Sequence, residues 1–149
     1  MKKIEILFTA LMSAFFSSFG LLAIPILLLV GSNVIDYITG LMASSNRKEK
    51  VSSYKGIKGI FKKVAMYFLV IIGFFIDVLI NYTITNLGMS FEMPAVVSCI
   101  VAVWLVCNEI ISILENLIDM EVDLPPFVLP LVKMIKGQTE DKISIKEEK

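Results

Sequence analysis

The residues in this 149-residue chain with the most chemistry to offer are carboxylates and amides on otherwise apolar helices. In NEIISILENLIDMEVDLPP (residues 108–126), a helical period of about 100° per residue puts Asn108, Glu109, Ser112, Glu115, Asn116 and Asp119 within about one third of the circumference. The same spacing groups Ser32, Asn33, Asp36, Thr39, Gly40 and Ala43 on one face of an earlier run. It groups Gly73, Asp77 and Asn81 on a third. Such groups can accept protons, pair with cations or hydrogen-bond between helices, but they form no reaction centre. The chain has no histidine, which removes the commonest general base and metal ligand. Neither a nucleophile–base pair nor a metal-ligand set stands out, so no catalytic, cofactor or metal residue is assigned and an enzyme is not expected.

The segments carrying these residues are too apolar for a water-soluble domain. Hydrophobic residues make up 56% of the chain and mean hydropathy is +0.80, against about 45–50% apolar in soluble domains. Net charge is zero, yet seven of the basic residues lie between Arg47 and Lys63, with Glu49 the one acid among them. Long uncharged runs around a basic segment describe an integral membrane protein. The expected fold is all-α, with three or four transmembrane helices. An apolar N-terminal segment covers 4–20 and spans cover 22–43, 64–85 and 94–118. A basic cytoplasmic loop fills 44–63, with Lys55, Lys58, Lys62 and Lys63 leading into the next span. A short interfacial helix is expected at 125–136 and a charged, solvated tail at 137–149.

Gly20 and Pro25 offer breaks in the first run. The MKK start resembles a signal-peptide leader, but the apolar stretch behind it is too long and lacks a clear cleavage site, so the segment is expected to be retained. If 4–20 crosses, the N-terminus lies inside; if not, outside. The basic loop and the C-terminus are expected inside either way. Cys99 and Cys107, eight residues apart on one helix, are about 12 Å apart along its axis, too far for a disulfide.

An ionised Asp at a helix centre costs about 2.5–3.5 kcal/mol on insertion scales. The acids should therefore face one another, a neighbouring subunit or water. Asp36 and Glu109 are expected about 10 Å from the basic ends of their spans, where Lys62 and Lys63 enter from the same side. One cluster at that depth, with the acids neutralised by these lysines or by protons, is the resulting expectation. The polar faces either hold helices together, through bonds of about 1 kcal/mol or less each, or come to line a hydrated opening. The basic loop is a topology signal or a contact for anionic lipid.

Four pieces carry a resemblance to a known family: DYITG (36–40), SSYKGIKGIFKKVAM (52–66), Asp77 within FFIDVL, and NEIISILENLIDMEVDLPPF (108–127). They resemble the lysis and toxin-secretion holins, the group that includes the clostridial toxin-release holin and holins of Bacillus phages. One departure is Glu121, where the family commonly has glycine before the apolar-proline turn. The resemblance implies a protein of the bacterial cytoplasmic membrane that forms homo-oligomers and opens lesions at a set time. Through these passes an endolysin, or a large toxin where the gene serves secretion. The expected partners are the lipid bilayer, further copies of the chain and, functionally, that cargo, with no nucleic acid and no cofactor. The rival class is a small transporter, a channel or a subunit of a larger membrane complex.

Overall fold

A computed structural model describes residues 2–46, 53–128 and 130. They form helices α1 (Lys2–Phe19), α2 (Ala23–Asn46), α3 (Ser53–Asn86) and α4 (Val96–Asp119). Three helical runs are long and apolar enough to cross a membrane: Lys2–Asn46, which joins α1 to α2, Gly56–Asn86, and Val96–Asp119. Between α1 and α2 a single 3-10 turn, Gly20–Leu22, bends the run at Gly20, whose φ of +50° suits glycine. Pro25 does not break the chain, because it sits in the first turn of α2, where its missing N–H is not needed.

The basic segment differs most from expectation. Instead of a loop over 44–63, α2 continues to Asn46 and α3 already begins at Ser53. The sequence explains this: Lys58 and Lys62 fall on one arc, while Ile60 lies opposite with Ile57 and Phe61 between, so the stretch is an amphipathic helix. Arg47, Lys48, Lys50 and the side chain of Lys55 lie outside the described residues, as do most of the expected interfacial helix and all of the tail.

α4 is the centre of the bundle. It packs along both α2 and α3, whereas α2 and α3 scarcely approach each other. The core is small: Leu22, Leu29, Val70, Ala102 and Leu105, flanked by partly buried Ile26, Met66 and Tyr67. Most large apolar side chains, including Phe68, Phe75, Leu79 and Trp104, point outward. Such a surface suits a hydrocarbon solvent, where outward burial needs no protein partner. None of the residues of α1 is buried.

The α3–α4 hairpin is tightly specified. α3 ends in a Schellman cap: Gly88, at φ +71°, donates to Thr85 O (3.1 Å), and Met89 donates to Ile84 O (3.2 Å). Close approach follows at Gly73, where an added Cβ would meet Ser98 Cα at 2.9 Å. α4 closes with the same type of cap, using Glu121 at φ +60° where glycine is usual. Glu121 N donates to Ile118 O (2.9 Å) and Val122 N to Leu117 O (3.1 Å).

Candidate functional site: a polar cluster inside the spans

Toward the basic end of the bundle, α2, α3 and α4 each contribute to one polar cluster. Its hub is Lys63, ten residues into α3, whose ammonium donates to Asp36 Oδ2 (2.8 Å), Asn33 Oδ1 (3.2 Å) and Glu109 Oε2. Three donors thus meet three acceptors, two of them carboxylates. Asn33 Nδ2 in turn donates to the Tyr67 hydroxyl (3.0 Å). On the other side of Asp36, Asn116 Nδ2 donates to Asp36 Oδ1 (3.1 Å) and Thr39 Oγ1 (3.1 Å). The Thr39 hydroxyl proton points back to the backbone oxygens of Ile35 and Asp36. Glu109 is only 4% exposed, and no buried polar side-chain atom among the described residues lacks a partner. Full satisfaction is what a buried polar network needs to be stable.

The local sequence positions these groups simply. Asn33 and Asp36 are three apart and Lys63 and Tyr67 four apart, so each pair lies on one helical face. Gly40 faces α4 here, but a Cβ there would sit 3.6 Å from Asn116 Nδ2, an ordinary contact, so the approach of α4 does not depend on glycine at this position. Because α2 and α3 diverge, a groove of about 380 Å³ opens between them, walled by Val30, Val34, Ile60 and Val64 and reaching Asn33 and Lys63. The cluster is therefore accessible from the side of the bundle.

The other residues singled out from sequence go elsewhere. Asp77 and Asn81 stand near the hairpin end and hold α4 in place. Asp77 accepts from Val97 N (2.8 Å), Ser98 N (2.9 Å) and Ser98 Oγ (2.6 Å). It thus caps α4 from the neighbouring helix, since Ala95 at the cap position supplies no side-chain bond. Asn81 closes a reciprocal pair with Met93, accepting from its N (2.8 Å) and donating to its O (2.7 Å). Asn108 and Ser112 are half-buried and stand outside the cluster's bonds. Glu115 is half-buried with a partner of its own. Lys58 and Lys62 are exposed, so of the two lysines expected to meet the acids only Lys63 does. Tyr67 is the cluster member that the sequence reading missed; its one signal was its place a helical turn beyond Lys63.

Comparison with known proteins agrees with this membrane architecture. An uncharacterised protein of Listeria innocua is 35% identical, over 83% of this chain and 80% of its own length. Another, from Listeria monocytogenes, is 35% identical over 83% and 82%. A third, from Clostridium perfringens, is 28% identical over 83% and 84%. No solved structure matches the chain. The model of the bacteriophage holin family matches residues 12–137, which take in α2, α3, α4 and the whole polar cluster. With three helices able to span a membrane and a family match over most of its length, the chain belongs to the bacteriophage holin family.

Proposed function

We propose that this protein accumulates as homo-oligomers in the bacterial cytoplasmic membrane and opens lesions there, releasing an endolysin or, where the gene serves secretion, a large toxin. The observation that carries this reading is the Asp36–Lys63–Glu109 cluster, assembled by three different helices and open sideways through the α2–α3 groove. Within hydrocarbon these charges depend on one another and on Asn33 and Asn116 of the same bundle, so they favour its closed form. Once helices separate, water can solvate the same groups, and the polar faces become a wall of a hydrated opening. A seam with two acceptable surroundings is what a lesion-forming protein requires. No member of the seam is assigned a catalytic role.

The basic residues around Lys58 and Lys62 support, through the positive-inside rule, a cytoplasmic position for that end and for the C-terminus. The α3–α4 hairpin then faces outward. Thiol labelling of single cysteines at Lys58 and Met89 in intact cells tests the orientation, with labelling by an impermeant reagent expected at Met89 alone.

Induced expression tests the function. Alone, the protein should stop growth abruptly after a delay. With a co-expressed endolysin that has no signal peptide, it should cause lysis. A culture that keeps growing, or that leaks ions while the folded enzyme stays inside, would instead support the rival reading of a small channel or transporter.

A further inference from the structure

Lys62 and Lys63 are adjacent in sequence but have opposite fates. Lys63 turns into the bundle, while Lys62, about 100° away around the helix, is exposed together with Lys58. These two lysines are four residues apart, hence about 6 Å along the axis and on one face. Among the described residues neither makes an ion pair. Of the acids toward this end of the bundle, Asp36 and Glu109 are engaged by Lys63, and Glu115 and Asp119 have partners of their own. On the adjoining arc of the same turns, with Phe61 about 60° from Lys58, Ile57 and Phe61 are 53% and 68% exposed. α3 has 34 residues and so measures about 51 Å, well beyond a hydrocarbon core of about 30 Å. The helix therefore extends past the core, and the lysines make its first turns the end suited to headgroup depth.

We infer that Lys58 and Lys62, with Ile57 and Phe61, form a binding site for the acidic phospholipids of the leaflet in which α3 begins. The charge selects the lipid: a phosphate with no compensating ammonium suits two unpaired lysines, whereas a zwitterionic headgroup brings its own cation. The apolar arc selects a lipid over a free anion, because Ile57 and Phe61 can meet acyl chains that inorganic phosphate lacks. The site is independent of lesion formation, since it needs only that α3 enters the membrane here.

Native mass spectrometry of the full chain in mild detergent tests it, with phosphatidylglycerol and phosphatidylcholine of identical acyl chains titrated side by side. The wild type should retain phosphatidylglycerol preferentially. The Lys58→Gln/Lys62→Gln variant should lose about thirty-fold in that affinity, at about 1 kcal/mol per lysine near a charged surface. Phe61→Ala should weaken binding of both lipids, and Lys2→Gln/Lys3→Gln should leave the preference intact. Helical circular dichroism and melting like the wild type's establish that the variants are folded. Equal retention of the two lipids overturns the site, as does unchanged affinity in the double variant. Displacement of phosphatidylglycerol by inorganic phosphate assigns it to a bare anion and equally overturns it.

Discussion

Lys63 of α3 donates a 2.8 Å hydrogen bond to the Asp36 carboxylate of α2, an ion pair closed across 27 residues of sequence within the membrane-spanning helices. Glu109 of α4 shares the same ammonium. Lys63, together with the Tyr67 hydroxyl that accepts from Asn33, therefore ties together two helices, α2 and α3, that otherwise scarcely meet.

Removing that hub should cost more than the net worth of the bonds. Lys63→Met leaves two carboxylates facing each other without a cation, and breaking a buried ion pair from one side costs about 3–5 kcal/mol. Chemical unfolding in detergent should show a loss of this order. Neutralising the acids as well, in Lys63→Met/Asp36→Asn/Glu109→Gln, should restore most of it. A triple variant as unstable as the single one would show that charge balance is not what the hub supplies.

Asp77 predicts a different pattern, because its partners are the amides that open α4. Asp77→Ala strips three hydrogen bonds from the helix start and should cost about 1–2 kcal/mol, as lost N-caps do. Asp77→Asn keeps an acceptor oxygen and should lose less. Hydrogen exchange localises the effect: protection should fall at Val97 and Ser98 while the amides around Asp36 stay protected.

The two glycines at helix contacts should respond unequally. At Gly73 the new Cβ would lie 2.9 Å from backbone Ser98 Cα, so Gly73→Ala must push α3 from α4. Overpacking of this kind costs about 1–3 kcal/mol. At Gly40 the nearest atom is the end of the Asn116 side chain at 3.6 Å, and Gly40→Ala should leave the melting temperature nearly unchanged.

Glu121→Gly should stabilise the protein. Glu121 holds φ +60° to close α4, a left-handed conformation that costs an ordinary L-residue about 1–2 kcal/mol and glycine almost nothing. Glycine's extra freedom in the unfolded chain offsets part of that, leaving a gain of about 1 kcal/mol or less. Thermal unfolding of the purified pair measures it, and a destabilised variant would show that the Glu121 side chain contributes more than its backbone strain costs.

Much of this arrangement was legible in the chain itself. Hydropathy marked the spans, because a helix facing hydrocarbon must be apolar over about 20 residues whatever its neighbours. Helical periodicity grouped Asn33, Asp36 and Thr39 on one face and Glu109 and Asn116 on another, since spacing along one helix is a local property. The depth of Asp36 and Glu109, counted from their span ends, put them level with each other, on the side from which Lys62 and Lys63 enter. The departure from glycine at Glu121 argued against a tight helix end, yet α4 closes there all the same, at φ +60°.

Only the tertiary structure decided what each face meets. Asp36 and Asp77 look alike in sequence, one acid in an apolar span. Yet Asp36 binds a lysine and Asp77 caps a neighbouring helix, because α4 begins level with Asp77 and not with Asp36. Adjacent Lys62 and Lys63 were likewise equivalent candidates until the rotation of α3 against α4 turned one inward and left the other exposed. The start of α3 read as a loop because lysines and glycines depress hydropathy, although their spacing is helical. Composition and period determine which residues share a face and how deep they lie. Rotation and register between helices depend on close contacts such as Gly73 against Ser98, which join residues far apart in sequence and leave no local pattern to read.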